Sequence, residues 1–202
     1  MTATIRLAEA SDARAIAAIY RSYVESSHFT FEEVAPDAAE IESRMANSIH
    51  GWPLAEEDGL VLGFASTSPM RNRAAYRWSV ETGIYFSAGA RRRGMGTRLL
   101  EAHLLLLERQ GFVTAIAGIA LPNEASVALH EKLGFELSGI ERGVGFKLGR
   151  WVDVGRWQRD LAPRASRPEE PLAAQAAMSS GSSSMVGSGI AGRSGSRSPF
   201  TA

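Results

Sequence analysis

The stretch Arg91-Arg92-Arg93-Gly94-Met95-Gly96 decides the fold, because it lies between a strand-like run at residues 76–86 and a helix-like run at residues 97–110. A strand that passes through a glycine turn directly into a helix can hold an anion, since the first N–H groups of a helix lack intrahelical partners and carry partial positive charge. Glycine lets the backbone approach a phosphate closely, and arginine supplies forked donors. An ordinary basic turn capped by glycines has the same spacing, so the stretch alone fits both interpretations.

Strand and helix patterns alternate on both sides of this turn. The predicted strands are residues 4–7, 54–56, 60–66, 76–86, 114–121, 135–142 and 151–160, and the predicted helices are residues 11–24, 37–49, 97–110 and 124–133. Pro53 places the second strand towards the sheet edge. Gly83 inside the fourth strand predicts a bulge or a close backbone approach.

Composition excludes several classes of protein. The chain has 202 residues, 45% of them hydrophobic, and a formal net charge of zero, which argues against general nucleic-acid binding. It has no cysteine, so disulfides and thiolate chemistry are excluded. The four histidines show no metal-ligand spacing, and His28, His50 and His103 are expected at the surface or in linkers. No metal site, membrane span or signal peptide is predicted, and the expected location is cytoplasmic.

The C-terminal part of the chain differs from the rest in composition. Residues 163–202 contain ten serines, five glycines and four prolines, and have little to bury. The sequence therefore predicts a domain over residues 1–162 and a disordered tail over residues 163–202. Residues 172–178 are compatible with one short helical turn inside that tail.

Glu81 and His130 are the two candidate catalytic residues. Glu81 lies in the middle of a mainly apolar strand, where a carboxylate is costly unless it is solvated, paired or used. His130 lies among apolar neighbours on the helix at residues 124–133 and titrates in a range useful for proton transfer. A solvent-facing carboxylate and an ordinary helix histidine are the alternatives that each residue leaves open.

Several separated blocks resemble the GCN5-related N-acetyltransferase (GNAT) family, and within it the phosphinothricin acetyltransferases. The first block is the loop Arg91-x-x-Gly94-x-Gly96, and the resemblance extends over roughly residues 5–161. The other blocks are Tyr76-Arg77-Trp78-Ser79-Val80-Glu81-Thr82, Leu121-Pro122-Asn123, Leu129-His130-Glu131-Lys132-Leu133-Gly134-Phe135, Gly145-Phe146-Lys147 and Trp151-Val152-Asp153-Val154-Gly155. Separated blocks in the correct order are far more specific than a single glycine motif.

The resemblance implies an α/β fold whose twisted mixed sheet is flanked by helices and whose fourth and fifth strands splay apart. Acetyl-CoA is expected in that gap, held by strand backbone, by the glycine loop and by the start of the following helix. The residues implied to bind it are Ile84, Tyr85, Phe86, Arg91, Arg92, Arg93, Gly94, Met95, Gly96, Thr97 and Asn123. Most of the phosphate binding is expected from backbone amides.

The resemblance also implies the chemistry. Glu81 is expected to remove the proton of the amine, and His130 to act as a second base or as a donor to the sulfur, while N–H groups near Tyr85 stabilise the developing oxyanion. The acetyl group passes directly to the amine without a covalent enzyme intermediate.

The implied acceptor is a small amino-acid-like amine such as phosphinothricin, methionine sulfoximine or methionine sulfone. Its expected contacts are Phe31, Arg71, Arg73 and Tyr76, whereas Lys147 matches the motif without an assigned role. A homodimer is expected. The alternatives are a polyamine or a peptide N-terminus as acceptor, and a non-catalytic acyl-CoA-binding module.

Overall fold

Seven strands form one mixed sheet in the computed structural model, which describes residues 3–90 and 94–179. They are β1 (Thr4–Leu7), β2 (Pro53–Glu57), β3 (Leu60–Pro69), β4 (Ser79–Phe86), β5 (Thr114–Ala120), β6 (Glu136–Lys147) and β7 (Arg150–Asp160). Their order across the sheet is β1-β2-β3-β4-β5-β7-β6. The predicted contacts of Arg91, Arg92 and Arg93 lie outside the described residues, as does the part of the predicted tail from residue 180 onward.

Helices pack against this sheet through apolar stripes. They are α1 (Ala13–Ser26), α2 (Ala38–Ala46), α3 (Met95–Arg109), α4 (Glu124–Lys132) and the short α5 (Ala174–Ser179). The inward face of α1 repeats at helical spacing with Ile16, Tyr20 and Tyr23 buried. Helix α2 ends at Ala46, three residues before its predicted end. Helix α3 begins at Met95, two residues before its predicted start.

The sheet opens between β4 and β5, and this opening is the feature that positions the site. The two strands are parallel and pair only from Ser79 opposite Thr114 to Glu81 opposite Ile116. Beyond that point β4 remains paired with β3, and β5 remains paired with β7, so the two halves of the sheet separate. The predicted mixed sheet with splayed fourth and fifth strands is confirmed.

Two local predictions about the strands were wrong, and at Gly83 the structure excludes one of the two predicted alternatives. Strand β4 begins at Ser79, because Ala74–Tyr76 form a 3₁₀ turn. The register between β3 and β4 runs unbroken along their pairing, so there is no bulge at Gly83; a Cβ there would instead crowd the Tyr85 ring at 3.2 Å. Strand β2 lies inside the sheet, and Pro53 is tolerated because it is the first residue of the strand.

His50 and His103 are buried, which corrects their predicted surface position. His103 is 0% exposed and its Nε2 lies 2.6 Å from the hydroxyl of Thr67. Burial lowers the pKa of His103 to about 3 and that of His50 to about 4. The signal was present in the sequence, since His103 lies on the same helical stripe of α3 as Leu99, Leu100 and Leu107.

Residues 169–179 form a segment, here called the C-terminal strap, that packs on the domain. The indole N–H of Trp78 donates to Glu169 O at 2.7 Å. The side-chain amide of Gln110 donates to both Ile49 O and Leu172 O, and Ala174 is fully buried. Helix α5 forms where the sequence indicated a helical turn. The disordered tail predicted from residue 163 therefore does not describe the strap, and the exact domain boundary remains a prediction.

Candidate active site

A cleft of about 440 Å³ occupies the gap between the splayed strands. Strands β4 and β5 form its two walls, while Asn123, the N-cap of α4, and the α4 residues Leu129 and His130 lie at one side. Small residues keep the β5 wall flat, because Ala117, Gly118 and Ala120 present little side chain to the gap. The cleft can therefore accept a long, narrow ligand between two strands without displacing core side chains.

The start of α3 closes one end of the cleft with backbone donors. Gly94 caps the helix at φ +73°, a left-handed conformation that favours glycine. The N–H groups of Met95, Gly96 and Thr97 follow in the first turn, where a helix has no internal acceptor for them. A Cβ on Gly96 would lie 3.4 Å from the Leu129 side chain, so a larger residue would narrow the gap. The structure brings these four predicted phosphate-binding residues together.

The open edge of β4 presents alternate backbone groups to the cleft. Phe86 directs both of its peptide groups to the Tyr23 hydroxyl, which donates to its carbonyl at 2.8 Å and accepts from its N–H at 3.1 Å. Backbone direction alternates along a strand, so Ile84 shares this open edge and Tyr85 directs its N–H and C=O towards β3. Sequence reasoning missed Tyr23 as a cleft residue, although the residue lies within the helix predicted at residues 11–24.

Glu81 lies at the last residue pair before the strands separate. Its Oε1 accepts from Nη1 of Arg156 at 2.6 Å, and Arg156 also contacts Glu141 at 3.2 Å. The Glu81 side chain is 33% exposed, so the ion pair orients the carboxylate while solvent and ligand still reach it. A Cβ on Gly118 would lie only 2.7 Å from Oε1, which shows how closely β5 approaches this carboxylate.

Two further cavities meet the cleft near Glu81. One of about 860 Å³ is lined by Glu81, Arg71 and Arg73. The other, of about 780 Å³, is lined by Glu81 and Phe31. Gly118 lines both cavities and the cleft. Three of the four predicted acceptor contacts thus surround the predicted base, whereas Tyr76 lies in the 3₁₀ turn, 40% exposed, and lines neither cavity.

His130 lines the cleft in a defined tautomer. Its Nδ1 lies 2.8 Å from Ser126 O, and because a carbonyl only accepts, Nδ1 carries the proton. Burial lowers the pKa of His130, whose residue is 3% exposed, so the ring is neutral near neutral pH. The lone pair therefore lies on Nε2, which is buried without a hydrogen-bond partner among the described residues. This geometry favours accepting a proton over donating one to a leaving thiolate.

Within residues 3–90 and 94–179, no three histidine or acidic side chains cluster in a way that suits a metal ion. The helices of the same ranges include none with the length and apolar character needed to cross a membrane.

Comparison with known proteins decides the family. The family model described as "Acetyltransferase (GNAT) domain" matches residues 5–155. The chain belongs to the GNAT family of acetyltransferases. This confirms the resemblance drawn from the glycine loop and the block around His130.

Relatives of this GNAT protein span nearly the same length. It is 39% identical over 171 residues to the phosphinothricin N-acetyltransferase of Streptomyces viridochromogenes, covering 83% of this chain and 93% of that enzyme. It is 36% identical over 172 residues to an L-methionine sulfoximine/L-methionine sulfone acetyltransferase of Pseudomonas paraeruginosa, covering 83% of this chain and all of that one. A phosphinothricin acetyltransferase from Sinorhizobium meliloti, solved with AcCoA, superposes with a TM-score of 0.80 at 41% identity, covering 85% and 96% of the two chains.

Proposed function

We propose that this GNAT protein transfers the acetyl group of acetyl-CoA directly to the amine of a small amino-acid-like acceptor of the phosphinothricin or methionine sulfoximine and sulfone type. One observation carries the proposal: Glu81, Arg71 and Arg73 line one cavity, and this cavity meets the interstrand cleft at Thr82, Gly83 and Gly118. The named activities of the relatives support the same assignment.

Backbone groups and one side chain along the cleft suit the cosubstrate. Ile84 offers backbone groups at the open edge of β4, and Gly94 to Thr97 offer amides for the pyrophosphate at the start of α3. Asn123 uses its Oδ1 to cap α4 through Ser126 N–H at 3.2 Å, which leaves its Nδ2 to contact the ligand. The backbone groups of Phe86 become available to pantetheine only if Tyr23 releases them.

Glu81 supplies the proton acceptor that amine acetylation requires. An ammonium has no lone pair, so its proton moves to the Glu81 carboxylate before the nitrogen attacks the thioester carbonyl. The Ile84 N–H faces the cleft and takes the oxyanion-stabilising role that the sequence placed near Tyr85. The C–S bond then breaks and CoA leaves as a thiolate. The nitrogen of the new amide gives up its second proton, and Nε2 of His130, the unprotonated ring nitrogen, is the acceptor that we propose for it.

Arg71 and Arg73 suit an acceptor that carries anionic groups. A guanidinium binds carboxylate and phosphinate oxygens through parallel donors, and two such groups match an amino acid with a second polar head. Phe31 faces Glu81 from the other cavity and limits the size of the acceptor. A polyamine would meet repulsion from the two arginines.

An acetyl-CoA assay with a panel of amines tests the proposed function. Thiol release and the mass of the acetylated product should show turnover with phosphinothricin and methionine sulfone, and much less with a polyamine or a peptide N-terminus. Turnover with a polyamine alone would reassign the acceptor. Absence of thiol release with every amine, despite acetyl-CoA binding, would support a non-catalytic acyl-CoA-binding module instead.

We also propose a homodimer located in the cytoplasm, where acetyl-CoA is made and used. The support is an apolar surface at the C-terminal hairpin, because six large apolar side chains of β6, β7 and their turn are exposed. These are Leu137, Ile140, Val144, Phe146, Leu148 and Trp151. Such a patch is typical of an interface. Light scattering should give twice the chain mass, and Trp151→Glu should reduce it. A monomeric wild-type protein would refute the dimer.

A further inference from the structure

The loop between α1 and α2 is fastened to the sheet by a buried lysine. Lys147, the last residue of β6, is 5% exposed and donates from Nζ to Thr30 O at 2.8 Å. A buried ammonium is costly unless it is paired or hydrogen-bonded, and this one serves a neutral carbonyl of a loop 117 residues away. Burial lowers its pKa, and the charges of Glu33 and Glu32 oppose that effect.

A second set of contacts fastens the same loop to the helices. The Thr30 hydroxyl lies 2.6 Å from the Tyr20 hydroxyl, which in turn donates to Glu32 Oε1 at 3.0 Å. Arg44 of α2 binds both oxygens of Glu32, at 2.8 and 3.0 Å. The two residues that flank Phe31 are thus held from both sides, one by β6 and one by α2.

The Phe31 ring rests directly on the backbone of β6 at Gly145. A Cβ built on Gly145 would overlap the ring, so only glycine allows this contact. The backbone of Gly145 is not in the left-handed region, and alanine is therefore conformationally acceptable there. Phe31 in turn lines the cavity that contains Glu81 and Arg156. The position of this ring follows from β6 rather than from the loop alone.

We propose that Gly145 and Lys147 are positioning residues that set Phe31 over the acceptor side of Glu81 and thereby limit which amino-acid side chains this enzyme accepts. The proposal rests on the proposed function. Neither residue touches the reacting atoms. Gly145 has no side chain that would displace the Phe31 ring, and Lys147 holds the loop through its hydrogen bond to Thr30. A compact acceptor binds more tightly when the Phe31 ring rests on Gly145, whereas a bulkier amino acid binds only if the ring moves away.

Two variants test the proposal by independent routes. Gly145→Ala should displace the ring by steric overlap, and Lys147→Met should release the loop by removing its donor. Both variants should raise the KM for methionine sulfone about tenfold, while the KM for acetyl-CoA stays unchanged. A tenfold change is the size expected when a hydrogen bond from a charged group, or a ring contact of similar strength, is lost. Gly139→Ala on the same strand is the matched control, because a Cβ there meets nothing within 4 Å.

A double-mutant cycle shows whether Gly145 acts through Phe31. In a Phe31→Ala background, Gly145→Ala should change the amine KM no further, because the ring it displaces is gone. Full additivity of the two changes, or an unchanged amine KM in both Gly145→Ala and Lys147→Met, would overturn the proposal.

Hydrogen exchange separates this proposal from the proposed function. Residues 28–34 should exchange faster in Gly145→Ala and Lys147→Met than in the wild type or in Gly139→Ala. Wild-type exchange in both variants would refute the anchoring even if the enzyme acetylates amines as proposed. Faster exchange in both variants of a protein that acetylates no amine would confirm the anchoring but refute the proposed function. The role of the two residues in selecting the acceptor would then be refuted as well.

Discussion

Gly118 should matter strongly for catalysis and little for stability. An alanine Cβ at this position would lie 2.7 Å from Oε1 of Glu81 and 2.9 Å from Nη1 of Arg156. Ordinary contacts begin at 3.4 Å, so the carboxylate has to retreat by about 0.7 Å and the guanidinium by about 0.5 Å. Both groups end flexible side chains, which makes the displacement cheap for folding.

The same displacement is costly for proton transfer. Misplacing a catalytic group by about 1 Å can lower the rate about 100-fold, so Gly118→Ala should reduce kcat by about 10- to 100-fold. Its free energy of unfolding should stay within about 1 kcal/mol of the wild type, because alanine also restricts the unfolded chain.

Steady-state thiol release at saturating acetyl-CoA and amine gives kcat, and urea unfolding gives the free energy of unfolding. Gly139→Ala is the control, since it adds the same methyl group to open space on β6. A Gly118→Ala enzyme with wild-type kcat would refute the reasoning. A Gly118→Ala enzyme that unfolds several kcal/mol more easily would show that the glycine serves packing instead.

Two further predictions concern stability. His50 and His103 stay neutral when folded but protonate near pH 6.5 when unfolded, so the unfolded state binds more protons as the pH falls. The free energy of unfolding should therefore drop by up to ~1.4 kcal/mol per pH unit for each histidine below that pH, and a flat urea-unfolding profile between about pH 7 and pH 5 would contradict this. Ending the chain after Arg167 removes the C-terminal strap and should lower the free energy of unfolding by about 2 kcal/mol. Ending it after Ser179 keeps the strap and should leave the stability unchanged. Equal melting temperatures of the two truncated proteins would show that the strap does not stabilise the domain.

The sequence alone predicted correctly those parts of the fold in which a local strand or helix pattern coincides with a family motif. The strand pattern around Glu81 and the glycine turn predicted a strand followed directly by a helix, and the family resemblance implied that the fourth and fifth strands splay apart. The buried position of His103 was also predictable from its helical spacing, and that signal was overlooked. These features depend on residues close together in the chain.

The missed features depend on sheet order and long-range contacts. Arg156 reaches Glu81 only because β5 pairs Gly118 with Arg156 and Ile116 with Glu81, a register that spans three strands. The late start of β4 accompanies a contact between Trp78 and the strap 91 residues later. Tyr23 meets Phe86 across 63 residues. None of these contacts between residues far apart in sequence can be derived from the periodicity of the chain.

Glu81→Gln tests the central claim most directly. The substitution keeps the shape of the side chain and an oxygen for Arg156, but it removes the proton acceptor. Measured at saturating acetyl-CoA and amine, kcat should fall by about 100-fold or more, while the Kd for acetyl-CoA from calorimetry stays the same. An unchanged kcat would remove Glu81 as the base and contradict the account of this site.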